Sequence, residues 1–139
     1  MTNPTNELDL YDIDSLNIIY KLLAGDSALE TLLGGNNKIY KYHVPEEFRS
    51  SPPIIRISPI SELPTGHADN MQLAWDCILQ IDVWDTANSR KIALRIHELM
   101  KNINFVQSTP TFDFDPETYL IRDGRRYRGV LISNKKENK

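Results

Sequence analysis

Three histidines, one cysteine, scattered carboxylates and a short run of arginines are the side chains in this sequence that could do chemistry. His43, His67 and His97 are too far apart for a zinc site, whose ligands recur at close spacings, and His97-Glu98 has no second histidine four residues on. Cys77 falls on the apolar side of an alternating run, where a thiol behaves as a small hydrophobe with a raised pKa. A nucleophile needs an electropositive, accessible setting instead. No serine stands in a Gly-x-Ser-x-Gly turn, and neither glycine-rich phosphate motif is present. Asp76 and Asp82 share a strand face six residues apart, about 20 Å at strand rise, too far to act on one bond together. Asp113 and Asp115 flank Phe114 as a solvated loop edge would. The expectation is therefore no catalytic residue, no metal and no cofactor.

The concentrated charge is Arg122, Arg125, Arg126 and Arg128. If Asp123-Gly124 makes a two-residue hairpin turn, these side chains divide between both faces of the hairpin. At least one face then carries arginine that needs solvent or an anionic partner. Glu7, Asp9, Asp12 and Asp14 give the N-terminal stretch the opposite sign, a complementarity that points to contact between copies. The segment 59–70 reads as a long exposed loop of the kind that carries function. Its Pro64, Thr65, Gly66 and His67 join the four arginines as candidate interface residues.

The elements that must position these groups come from the remaining pattern. A chain of 139 residues fits one domain with a sizeable core. Sixteen basic and 19 acidic residues, net −3, argue against a protein whose main work is holding a phosphate backbone. No apolar run approaches the ~18 residues of a membrane span, and the polar, acidic start has no secretory signal. These features suggest the cytosol, or a particle assembled there. Residues 1–14 read as a flexible acidic arm, 15–133 as a single domain and 134–139 as a polar C-terminal tail.

Within the domain, Asp14 or Ser15 caps a helix whose Leu16, Ile19, Tyr20 and Leu23 share one face, and Gly25 ends it. Asp26 or Ser27 caps a second, short helix carrying Ala28, Leu29, Leu32 and Leu33, closed by Gly34-Gly35. Residues 39–44 form a short strand, and 54–58 begin as an edge strand behind Pro52-Pro53. The strongest strand is 71–84. There Leu73, Trp75, Cys77, Leu79, Ile81 and Val83 form an apolar face and Ala74, Asp76, Ile78, Gln80, Asp82 and Trp84 a mixed one. Asp85 or Thr86 then caps a helix whose Ile92, Ile96, Leu99, Met100 and Ile103 cover that apolar face, with Arg90, Lys91, Arg95 and Lys101 outside. A weakly alternating stretch at 106–114 is broken by Pro110. The fold class is α+β: a mixed, mainly antiparallel sheet packed against two or three helices.

The order of these features resembles a known group. The opening amphipathic helix, the Leu-rich turn ending in Gly, Ile39-Tyr40 followed by Pro45, and Pro52-Pro53-Ile54-Ile55 come first. Gln80-Ile81-Asp82-Val83-Trp84 then runs into Ala87 and Ile92-Ala93. Together they are similar to the tail terminator, or tail-to-head joining, family of siphophage tail-completion proteins, over roughly residues 16–103. The resemblance implies a non-enzymatic virion protein at the head-proximal end of the tail, assembled in the host cytoplasm. Copies form a ring, commonly a hexamer, that halts tail-tube polymerisation. Its partners are itself, the major tail tube protein and the head-tail connector, with DNA only passing through the lumen. A neighbouring connector or adaptor role is the alternative, and a small cytosolic hydrolase using unaligned carboxylates a further one. The acidic arm and the arginine cluster lie outside the matched stretch, so the family's interface residues do not transfer.

Overall fold

The computed structural model describes residues 13–35, 37–69 and 72–134, with backbone alone at 66–69, 72–73 and 133–134. The expected flexible arm lies, up to residue 12, outside the described residues, as does the tail from 135 onward. Helix α1 (Ser15–Ala24) starts where the Asp14 carboxylate accepts the Asn17 amide, and α2 (Ser27–Leu33) where Asp26 accepts the Leu29 amide. Each cap satisfies an amide that the first helical turn leaves without a partner. Gly34, at φ 75°, closes α2 in the left-handed conformation that favours glycine.

Strand β1 (Ile39–Lys41) is shorter than the sequence suggests because Tyr42 turns to φ 63° and leaves the extended region. After a 3-10 turn at Glu46–Phe48 come β2 (Ile54–Asp69), β3 (Gln72–Asp85), α3 (Ser89–Asn102), β4 (Val106–Gln107), β5 (Thr111–Asp115) and β6 (Leu120–Asn134). The sheet order is β1-β2-β3-β6-β4, with β5 also on β6. β1 and β2 run parallel, and the other pairings are antiparallel. This is the mixed α+β sheet expected.

Cross-strand register sorts every side chain. Cys77, Leu79, Ile81 and Val83 of β3 stand opposite Glu62, Pro59, Ile57 and Ile55 of β2 and Gly129, Tyr127, Arg125 and Asp123 of β6. Paired residues of an antiparallel ladder point to the same side. On that side Leu16, Ile19 and Leu23 of α1, Leu29 and Leu33 of α2, and Ile92, Ile96, Leu99 and Met100 of α3 close the core over the sheet. Trp75 packs at its margin, half-buried. Cys77 is fully buried, and burial pushes its thiol up to about 11. Phe105 lies flat on Gly129, where any Cβ would overlap its ring.

Four local expectations change. Residues 59–69 are not a loop but the second half of β2, laddered to β3 with register shifts after Pro59, Pro64 and His67. Prolines suggest a loop because they donate no ladder hydrogen bond. Here both lie where β2 has no described neighbour outside it, and bulges absorb the mismatch. Conversely, the start of β2 is not an edge, since Ile55–Ile57 sit between β1 and β3. Asp123-Gly124 is not a turn: β6 runs straight through it, and the hairpin is the 116–119 connection, where the Tyr119 amide returns to the Asp115 carbonyl at 2.7 Å. Helix α3 is preceded by Asn88 rather than capped by Asp85 or Thr86, and Asp85 instead accepts the Thr86 amide.

Leu79→Ala or Ile96→Ala should each cost ~2–5 kcal/mol, since both side chains are removed from a closed core. Urea unfolding of the two variants checks this. A loss below about 0.5 kcal/mol would contradict the packing described.

Candidate interaction surface

The sheet face turned away from the helices carries the charge. Asp82 is wholly buried there, although no described helix covers it. Its carboxylate accepts from Arg56 Nη2 and Arg122 Nη1, each at 2.8 Å, and from Gln80 Nε2 at 3.0 Å. Arg122 reaches on to chelate Asp113 of β5 through Nε and Nη2. That hydrogen bond holds the Asp113 carboxyl below the usual carboxylate range and raises the guanidinium. Arg126 donates to Gln80 Oε1 at 3.0 Å, and Arg128 forks onto Asp76, whose carboxyl it lowers.

Gly124 makes this network sterically feasible. A Cβ there would stand 2.7 Å from Asp82 Oδ1 and 2.9 Å from Arg122 Nη1, in the space that the salt bridge fills. The glycine that resembles a turn residue in the sequence is a clearance for a side chain crossing the strand.

The four arginines therefore have partners within the chain, and they divide between faces as alternation demands. Arg122, Arg126 and Arg128 lie on the open face. Arg125 lies on the helix side, buried against Asp123 at 2.8 Å and Gln107 at 2.9 Å. Asp123 and Asp82 are buried ion-pair members that alternation alone does not distinguish from solvated acids. The signal available was the match of three arginines to aspartates of similar strand register. Arg95, expected outside, instead reaches Asp26 through two hydrogen bonds at 2.7 and 2.9 Å. Of the second candidate group, Pro64 and Thr65 are exposed at the far end of β2, and Gly66 and His67 follow in the same strand. The fold does not bring these close to the arginine network as one site. Asp113 and Asp115, expected in a loop, belong to β5.

At one end of the open face, residues 42–53 fold back over the sheet. Val44 packs with Ile54 and Leu120 in a small second core, with Tyr40 and Trp84 at its edge. Beside it is a cleft of about 380 Å³ floored by Val44, Trp84 and Leu120 and walled by Arg49 and Arg56. Arg56 stacks on Trp84, its guanidinium carbon 4.9 Å from the ring centre. At the opposite end, Leu63, Val130 and Ile132 are exposed apolar side chains. Among the described residues no three His, Cys, Asp or Glu side chains converge to hold a metal, and no helix is long and apolar enough to cross a membrane.

A helix-backed open sheet of this kind occurs in a virion subunit. A chain from a structure titled "Virion of native gene transfer agent (GTA) particle" superposes with a TM-score of 0.55 at 14% identity, over 82% of this chain and 91% of that one. At that identity the likeness is one of fold. The family described as "Tail completion protein gp17" matches residues 18–131, a span holding most of α1 and nearly all of the sheet, so the chain belongs to the phage tail-completion family and is a structural protein of the virion tail. No curated protein matches the chain.

Asp82→Ala should destabilise the fold by about 3 kcal/mol, because it takes the carboxylate partner from Arg56 and leaves Arg122 with Asp113 alone. Asp76→Ala, which removes the partner of the exposed Arg128, should fall within about 1 kcal/mol. Chemical denaturation of the pair checks the contrast, and equal losses would contradict it.

Tyr127, fully buried beneath α3, has its hydroxyl pushed up to about 12 by desolvation. An unfolded tyrosine ionises near 10, so between those values the folded state holds the extra proton. The resulting stabilisation is complete below pH 10 and is lost as pH rises toward 12, about 2–3 kcal/mol in all. Tyr127→Phe should flatten that part of the stability profile relative to the native protein, measured by denaturation at graded alkaline pH.

Proposed function

We propose that the protein is a tail terminator: copies of it close into a ring on the head-proximal end of the tail tube, halt tube polymerisation and present a surface to the head-tail connector. A hexamer is the expected ring, with DNA only passing through its lumen and assembly taking place in the host cytoplasm. The observation that carries this reading is the family match over residues 18–131. Two features of the subunit support it. The outer side of β2 beyond Ile57 has no described strand on it, nor has that of β6 beyond Arg128. Exposed Leu63, Val130 and Ile132 lie between those edges. Free edges and apolar surface together favour contact with other chains.

The interface is proposed to use Arg126 and Arg128 on the open face and Pro64, Thr65, Gly66 and His67 at the end of β2. Arg122 and Arg125 contribute to the same strand from within the subunit, where their charges are already matched. In this reading the working domain is residues 15–133, with the arm 1–14 and the tail 134–139 as appendages.

Arg126→Glu combined with Arg128→Glu replaces attraction at the interface by repulsion; it removes the exposed contacts to Gln80 and Asp76 but keeps the Arg56–Asp82–Arg122 ion pairs. The double variant should stay soluble with a nearly unchanged thermal transition. Electron microscopy should show loss of rings, and lysates should hold filled heads separate from overlong tails. Normal rings and normal virions would remove these arginines from the interface. Tails of normal length in the absence of the protein would overturn the terminator role itself.

A further inference from the structure

The cleft at the end of the open face is built to take a guest. Two polar atoms in its wall, Arg56 Nε and Thr118 Oγ1, are buried and find no hydrogen-bond partner among the described residues. Leaving such groups unpaired costs on the order of 1–3 kcal/mol each. Arg49 spends its Nε on the Val44 carbonyl at 3.2 Å, and its side chain is otherwise exposed. A donor pair and a hydroxyl thus stand over an apolar floor of Val44, Trp84 and Leu120. Asp115 and Glu117 hold the opposite rim, so a negative group is welcome on the arginine side alone. The fitting guest is an extended peptide that alternates carboxylates with apolar side chains.

The chain carries such a peptide. Residues 7–12 read Glu-Leu-Asp-Leu-Tyr-Asp, and over 7–10 acids and leucines alternate at the period of an extended strand. Where the arm begins decides which subunit it can serve. The Ser15 amide donates to Glu62 at 2.9 Å, which ties the start of α1 to β2 on the helix side of the sheet. The cleft lies beside Ile54, eight residues away along β2, about 26 Å at strand rise, and on the other face. From Ile13 back to Leu8 the chain spans at most about 18 Å. The acidic leucine segment falls short of its own cleft.

We propose that residues 7–12 of one subunit enter the cleft of a second copy, with Asp9 toward Arg49 and Arg56 and the leucines on the Val44 and Trp84 floor. The arm then acts as a strap between neighbours. This rests on the self-association proposed above, and the experiment separates the two. Two full-length variants are made, Tyr11→Cys, which keeps Asp9 and shares its side of an extended segment, and, on an affinity-tagged chain, His43→Cys in the cleft-lining segment that carries Arg49. The native Cys77 is buried and stays out of the exchange.

Mixed under mild oxidation, the two variants should give a disulfide-linked tagged and untagged pair on a non-reducing gel. A control receptor with Lys101→Cys, on the helix side, should give little. Adding Arg49→Glu to the receptor should cut the yield about fivefold or more, and so should 1 M salt, which shortens the Debye length to ~3 Å. Rings are scored separately by electron microscopy of the native protein. Rings without the specific cross-link, or equal yields from both receptors, overturn the strap and leave self-association standing. The specific cross-link without rings supports the strap and removes the ring.

Discussion

Asp82 is the constraint around which the open half of the molecule is organised. One carboxylate, removed from solvent in the middle strand, accepts hydrogen bonds from arginines of the strands on either side. A buried charge of this kind is tolerated only when its partners are correctly placed. The placement is met in a single register: Arg56 directly opposite Asp82 on β2, and Gly124 opposite on β6 with Arg122 two residues along. A slip of one residue would send either arginine to the helix side. The ion network therefore selects the alignment of three long strands.

Division of labour between the two faces follows from that. On the helix side, nonspecific burial of leucine, isoleucine and valine supplies most of the cohesion, as area burial does in any small domain. On the other side a layer of forked arginine-carboxylate pairs does the work of a second covering layer at the centre of the sheet, while apolar side chains are left exposed toward one end. The surface is thus both satisfied and incomplete: its charges are matched and its grease is not. Such a surface suits a subunit that must remain soluble before assembly and lose water when it meets its neighbours.

The helices and the central strand were legible in the sequence because each shows one period cleanly. Leu16, Ile19 and Leu23 repeat at helical spacing, and Cys77, Leu79, Ile81 and Val83 recur on one face at the period of a strand. What the sequence concealed were the places where one residue type serves two purposes. Gly124 follows an aspartate as a turn glycine does, yet its service is to leave room for Arg122. Pro59 and Pro64 look like loop residues but occupy a bulged edge. The arginines stand out as a charged run, while their partners, Asp76, Asp82, Asp113 and Asp123, come from β3, β5 and β6 itself. Pairing across strands depends on register, and register is a property of the assembled sheet.

Helix α2 has seven residues, well short of the length at which a helix persists in water on its own. Asp26 gives it a first amide partner, and the same carboxylate is gripped by Arg95 from the middle of α3, 69 positions later. That grip lowers the Asp26 carboxyl below its ordinary range and keeps it ionised as an acceptor. Nucleating the short helix and seating the long one are thereby a single event. The N-terminal third of the domain acquires its shape on credit from residues synthesised much later, and a nascent chain released before α3 emerges would have no stable beginning.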